Sequence, residues 1–389
     1  MKPIVTFEDF LKTYPEKTQE LVKIYFKTMN LRKKYGYGSK KIAKLLDISR
    51  HTIDDWLYEG QIPKPIKATK SLQQMKLTLP FVVSKNPRFK FFVKLLAFSF
   101  GDGGITSNFR PYFTGKEVDL KILKEEIKYI FPSFRCKIIK IKNKNAKING
   151  RTIKGTSFIL NLQNNGSCIL GRLLYAAGAP KGNKVLIPFL VPSWIMNGEK
   201  WIKKLFLNVL LGNEVQAPRI DKSRSACFSC CIFRMTKIEK FKNTQKQFLN
   251  QIKKLLEDFG IQSSEVEEDS PRKERKDGQI SYPLYFRIQK NKLNLYRFYK
   301  EFKLLYAKGK QEDFNDAIRV VKKSLEKELL KNEWYVKGQK LRTRKWGCRR
   351  IARYLGVPKR RSMIDGWLRY NQKPIYFNQR EELKELLKN

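Results

Sequence analysis

Histidine is all but missing from this chain of 389 residues, with His51 its single instance. That argues against histidine-centred triads and against hydrolytic chemistry built on an imidazole general base. Acids are scarce as well: 36 Asp and Glu stand against 82 Lys and Arg, a formal net charge of +46. An excess spread over the whole length calls for a polyanionic partner. No apolar run is long enough to span a bilayer, and the N-terminus lacks a signal-peptide pattern. A membrane surface is therefore disfavoured as the polyanion, and nucleic acid favoured. Cysteine is sparse and scattered (Cys136, Cys168, Cys227, Cys230, Cys231, Cys348). Cys227-x-x-Cys230 has no second pair to complete a zinc site, and in a strand the two would face opposite ways. This usage suits a reducing compartment, and abundant Lys, Ile, Asn, Phe and Tyr point to a prokaryotic cytoplasm.

What is present is a foldable chain, 41% hydrophobic and 13% aromatic, and not a disordered basic tail. Residues 1–66 read as a helical domain. Apolar positions 42, 45 and 46, then 53, 56 and 57, form two helical stripes, with Asp47-Ile48-Ser49 as the turn and Ser49 placed to cap the second helix. This is a helix-turn-helix pattern. It returns near the other end: Trp346 to Val357 parallels Tyr37 to Ile48 at an offset of 309, and Met363 to Leu368 parallels Thr52 to Leu57 at 311. Gln61/Gln372 and Pro63/Pro374 keep that register, which argues for a duplicated module. Prolines 80 and 87 help mark 67–87 as a linker. The middle, 88–305, alternates β-rich runs with amphipathic helices and reads as α+β, in two halves (88–195 and 196–305) with the same order of elements. A charged connector helix and the second module fill 306–389.

The chemistry lies in the two halves. An apolar helix runs into Asp102 in Leu95-Leu96-Ala97-Phe98-Ser99-Phe100-Gly101-Asp102-Gly103, and another into Glu214 in Leu207-Asn208-Val209-Leu210-Leu211-Gly212-Asn213-Glu214-Val215, 112 residues later. Carboxylates ending two packed, buried helices repel each other unless a hard divalent cation sits between them.

These segments, their spacing and the lead-in Ile187-Pro188-Phe189-Leu190-Val191-Pro192-Ser193-Trp194-Ile195 resemble the LAGLIDADG homing endonuclease family in its single-chain, two-repeat form. The resemblance covers about 215 residues, from Arg88 to Phe302. It implies a pair of αββαββα repeats related by pseudo-symmetry. The motif helices would be side by side over the DNA minor groove, with a sheet in each flanking major groove. It also implies Mg²⁺ (or Mn²⁺ in its place) held by Asp102 and Glu214, with carbonyls of Gly101 and Asn213 as further ligands. Hydrolysis of one phosphodiester in each strand would follow. Family enzymes use basic and polar groups near the metals; Gln216, Arg219 and Lys184 are the candidates here by proximity in sequence to the second motif. The sequence departs from the family where Val215 replaces the glycine that usually follows the acid, which leaves Pro218 to stop that helix.

For DNA contact, Arg342, Arg344, Lys345, Arg349, Arg350, Lys359, Arg360 and Arg361 belong to a run of ten cations without an acid over residues 340–361, and Arg369 follows. In the N-terminal module Arg50, His51 and Thr52 are the candidates, opposed by Asp54 and Asp55. The expectation is a monomeric double-strand DNA endonuclease. A non-cleaving DNA-binding regulator and an RNA-binding splicing helper, with structured RNA as partner, are the alternatives. Met1 is not a Cys or Ser nucleophile and the chain ends Lys388-Asn389, so no protein-splicing block is evident and a free-standing chain is expected.

Overall fold

A computed structural model describes residues 2–141, 146–148, 151–153, 157–163, 165–218, 220, 231–271, 274–275 and 277–388. The centre is built on two helices, Pro87–Phe100 and Lys200–Glu214. The first starts cleanly because Pro87 occupies a position that needs no N–H and the Asn86 side chain accepts from the Phe89 N–H at 2.7 Å. It is apolar over most of its surface because every residue from Phe89 through Phe100 except Lys90 and Lys94 is buried. Phe100 packs on Phe189, Phe206 and Phe248 at ring-centre distances of 5.6, 5.7 and 5.8 Å. One aromatic cluster therefore joins material from both halves of the chain, each ring contributing roughly 1.5–3 kcal/mol of burial.

After the first central helix come β1 (Gly103–Ile105), β2 (Pro111–Gly115), a helix (Glu117–Ile130), β3 (Cys136–Lys140), the small pair β4 (Ala146–Ile148) and β5 (Arg151–Ile153), β6 (Phe158–Leu162) and a helix (Asn165–Ala176). β1-β2-β6-β3 form one antiparallel sheet. After the second central helix come β7 (Cys231–Ile238), a helix (Lys242–Glu257), β8 (Glu267–Glu268), β9 (Ser281–Ile288) and a helix (Lys292–Glu301). Here the sheet order is β7-β9-β8, and Val215 bridges Phe233 at its edge. The fold is mixed α+β. Neither β1, with two glycines among its three residues, nor β8, a Glu-Glu pair, has much strand propensity of its own.

Two sequence expectations change. Residues 67–87 are not an extended linker: a helix runs over Lys64–Gln74, and Leu72, Leu77 and Phe81 are buried in the central core. Phe81 also accepts from the Ile4 N–H (2.7 Å) and donates to the Val5 carbonyl (2.8 Å), and apolar spacing at 68 and 72 outweighs the flanking prolines. Nor does Pro218 stop the second central helix. Glu214 is its last residue, and Val215 is already extended (φ −79°, ψ 136°), a conformation that needs no glycine.

The terminal modules have small cores of their own. Ile42, Ile53 and Trp56 are buried in the first, and Ile351, Ile364 and Trp367, their counterparts in the repeat register, in the second. Ser49 caps its helix, its Oγ accepting from the Thr52 N–H at 3.2 Å. A single 36-residue helix, Lys308–Thr343, runs from the central domain into the second module. It turns Phe314, Ile318, Val321 and Leu325 to the centre and Tyr335 and Leu341 to the module. The last helix, Arg380–Lys388, folds back so that Leu383 enters the central core and Glu382 pairs with Arg297. Among the described residues no helix is long and apolar enough to cross a membrane.

Candidate acid-pair site

The two central helices meet at their C-terminal ends. A Cβ placed on Gly101 would lie 2.6 Å from the Asn213 Cβ, so glycine at 101 is what lets the two chains touch at this level. Close approach needs a small residue on one side only, which is why Val209 and Asn213 on the partner helix are tolerated. Asp102 lies two residues past the end of its helix and enters β1, whereas Glu214 is the final helical residue.

Lysines complete the site. Lys184 Nζ donates to the carbonyls of Phe100 (3.3 Å), Gly101 and Gly103 (2.7 Å). Lys310 Nζ donates to those of Gly212 (2.8 Å) and Asn213 (2.6 Å). Each ammonium thus caps the carbonyl end of one central helix, the position where a cation is favoured by the helix dipole. A third amine, Lys237 on β7, is only 1% exposed and donates to the carbonyls of Lys184 and Ile187 (2.6 Å) over the ring of Phe189. It fixes the segment that carries Lys184.

The electrostatics follow from crowding. Burial first, and then the neighbouring Asp102 carboxylate, push Glu214 up to about 7, against the pull of Lys184 and Lys310. Burial likewise raises Asp102, opposed by Lys310 and Lys184. Asp102 is reached by solvent yet lies in a concave cleft of about 410 Å³, also lined by Thr114, Lys116, Gly212 and Lys310; protein surrounds the carboxyl although water can touch it. Burial lowers Lys184 and Lys310, which the two acids pull back up. Lys237, buried and next to Lys184, falls to about 7. Asn213 Nδ2 is buried beside the acids with no hydrogen-bond partner.

The sequence-derived residues are therefore placed unevenly. The structure brings Asp102, Glu214 and Lys184 together. The carbonyls of Gly101 and Asn213, expected as metal ligands, are instead taken by Lys184 and Lys310, whose charge disfavours a divalent cation at those oxygens. Gln216 is exposed and joins the sheet through its N–H to the Ile232 carbonyl at 2.9 Å; Arg219 lies outside the described residues. Lys310 and Lys237 were not foreseen, since one lysine among 82 Lys and Arg carries no distinguishing sequence signal.

In the N-terminal module Arg50 pairs with Asp54 at 3.4 Å, His51 with Asp55 at 3.2 Å, and Thr52 Oγ1 with Ser49 Oγ at 2.8 Å. His51 is raised chiefly by Asp55. In the second module Arg342, Arg344, Lys345, Arg349, Arg350, Lys359, Arg360, Arg361 and Arg369 are all exposed. Arg361 and Arg369 share Asp365 (3.5 and 3.3 Å), and Arg350 stacks on Trp346 at 3.9 Å.

Among the described residues no group of three or more His, Cys, Asp or Glu could hold a metal ion. Two carboxylates remain as the anionic donors. That set fits Mg²⁺, which keeps water ligands and is commonly held by one or two carboxylates plus substrate phosphate.

No family model matches the chain. It is similar to the DNA-directed RNA polymerase subunit Rpo1N of Methanocaldococcus jannaschii, 32% identical over 181 residues, 45% of this chain and 13% of that protein. It is similar to the replication factor C small subunit of the same organism, 28% identical over 263 residues, 65% of this chain and 14% of that one. A third relative is the tRNA-splicing ligase RtcB of Pyrococcus furiosus, 24% identical over 219 residues, 54% of this chain and 21% of the ligase. The chain thus spans between 13% and 21% of the length of these relatives.

Proposed function

We propose that this chain is a monomeric, site-specific double-strand DNA endonuclease of the homing type, a two-repeat LAGLIDADG-like protein that uses Mg²⁺. The observation that carries the reading is the acid pair: Asp102 and Glu214, on the joined ends of two buried helices, each raised by an environment that disfavours charge. A fold maintains such a pair against its own stability when the charge is needed. The alternation of antiparallel strands and helices after each motif, and a net charge of +46, support the same reading.

The relatives add support of another kind. Their names describe transcription, clamp loading and RNA ligation, yet this one chain is similar to a segment of each. The 65% and 54% of this chain that match two of them cannot be disjoint. A segment common to differently named proteins, and only 13% to 21% of each, fits a mobile module better than any of the named activities.

Within this reading Asp102 and Glu214 would hold Mg²⁺, which would lower the pKa of bound water and neutralise phosphate charge. Lys184 and Lys310 keep the two helix ends, and so both carboxylates, in fixed relation while adding positive charge where the scissile phosphates bind. The unpartnered Asn213 amide offers a donor to the same anion. Exposed cations of the second helix-turn-helix module extend the contact along the backbone and make affinity strongly salt-dependent. A non-cleaving regulator has no use for two crowded carboxylates, and its affinity would be indifferent to them.

The test is incubation of a supercoiled target library with Mg²⁺, comparing the native chain with Asp102→Asn and Glu214→Gln. Linearised products that vanish in both variants support the nuclease. Intact DNA with Mg²⁺ and Mn²⁺ alike, despite tight binding, leaves the regulator.

A further inference from the structure

The 36-residue helix Lys308–Thr343 has one end at the acid pair and the other inside the second helix-turn-helix module. At the first end it is anchored to both halves of the central domain. The Leu305 N–H, just before it, donates to the Asn208 carbonyl of the second central helix at 3.0 Å. The Tyr306 hydroxyl donates to Glu126, and the Lys308 N–H to Asp119 at 2.8 Å, both on the Glu117–Ile130 helix. Lys310, in the first turn, then reaches the Gly212 and Asn213 carbonyls beside Glu214. Phe314, Ile318, Val321 and Leu325 hold the following turns on the central core.

At the far end the helix is part of the module it carries. Tyr335 packs on Trp367 and Phe377 at ring-centre distances of 5.9 and 4.8 Å, and Leu341 is buried in the same small core. The chain then returns to the centre by a second route. Phe377 packs on the module while its neighbour Tyr376 packs on the central core, where Leu383 is fully buried. Between the two routes lies Asn332, fully buried, whose Nδ2 donates to the Ile375 carbonyl at 3.0 Å and to the Glu328 carbonyl at 2.7 Å. The link is therefore helical throughout, without a proline, and braced by the returning chain.

We infer that this connector helix is a ruler. It seats the cationic surface of the second module (Arg344, Lys345, Arg349 and Arg350, all exposed) on duplex DNA at one fixed distance from the acid pair. A rise of about 1.5 Å per residue makes the helix about 54 Å long, so that distance is at most about 16 base pairs. A flexible linker would let the module settle over a broad range of spacings; a braced helix allows one. The inference rests on duplex DNA being the substrate. The spacing belongs to the protein and not to the sequence beneath the module.

Hydroxyl-radical footprinting of the native chain without Mg²⁺ tests this, on a selected target duplex and on versions with insertions of up to about one helical turn on the module's side. We expect a distal protected patch that keeps the same number of base pairs from the centre of the main footprint in every duplex. Arg349→Ala combined with Arg350→Ala should erase that patch and leave the main footprint intact. Trimming the duplex from that side should weaken binding several-fold in one step, and the double variant should lack the step. A patch that moves with the inserted sequence, spreads without a boundary, lies beyond about 16 base pairs or survives in the double variant overturns the inference. Cleavage in Mg²⁺ without any distal patch overturns the ruler and keeps the nuclease; a fixed patch without cleavage keeps the ruler and overturns the nuclease reading alone.

Discussion

The helix-turn-helix at 39–57 and its repeat at 348–369 bury the same three positions, yet they face solvent differently. The first ties Arg50 and His51 to Asp54 and Asp55 on its own second helix. The second has a single acid, Asp365, between Arg361 and Arg369, and leaves Arg344, Lys345, Arg349 and Lys359 exposed around it. The central sheets differ in the same manner: among the described residues, Arg234 and Arg287 of the second sheet pair with carboxylates, whereas Arg110 and Arg135 of the first do not. Duplicated elements have kept their cores and diverged in where acids stand beside bases. Burial constrains the first, because a cavity or an overpacked side chain costs several kcal/mol, whereas an exposed ion pair contributes little to stability. Surface charge was therefore free to divide the labour between copies.

The acid pair is where copies should behave alike, and it gives the largest effect. Asp102→Asn and Glu214→Gln should each lower single-turnover cleavage by on the order of a thousandfold or more while binding persists; a variant that still cuts one strand at full rate would show that the two ends act separately. Next come the lysine caps. Lys184→Met and Lys310→Met should each slow cleavage roughly tenfold to a hundredfold. A loss confined to one of them would break the equivalence of the two helix ends.

The modules should separate more mildly. Removing Arg349 and Arg350 together should weaken DNA binding several-fold and reduce the salt slope by about two, as two phosphate contacts would. Removing Arg50 should change neither quantity measurably, since Asp54 already holds it. Equal losses in titrations at several salt concentrations would erase the contrast between the copies.

Packing at the helix ends is asymmetric, and stability reads it out. Gly101→Ala forces a methyl against Asn213 and should destabilise by about 1–3 kcal/mol in urea unfolding. Asn213→Ala removes a buried amide that has no partner and should change stability by less than about 1 kcal/mol. Stability should also depend on pH. The folded chain keeps Glu214 protonated up to about 7, whereas the unfolded chain releases that proton near its ordinary value. The folded state therefore binds more protons in between, and metal-free stability should fall as pH rises from about 4.5 to 7. Glu214→Gln should flatten that slope, and Mg²⁺ should offset it; a slope unchanged in Glu214→Gln assigns it to another group.

The sequence by itself determined the parts whose signal is local. Apolar stripes with a Ser49 cap gave the module helices, alternation gave β2, β3, β6 and β9 within a few residues, and the two apolar helices led directly to Asp102 and Glu214. Only the tertiary structure decided which amines serve that pair. Lys184 lies 30 residues before Glu214, Lys310 lies 96 after it on the connector helix, and chain folding alone brings each to the carbonyl end of a different central helix beside the acid pair. It also decided which cations are free. Outward-facing arginines look the same in sequence on either sheet, but β8, a two-residue strand with no propensity of its own, lays Glu267 beside Arg287, and among the described residues Arg110 and Arg135 have no such carboxylate. Local periodicity is set by backbone geometry and can be read residue by residue; charge pairing between distant strands depends on the register, which exists only once the sheet has formed.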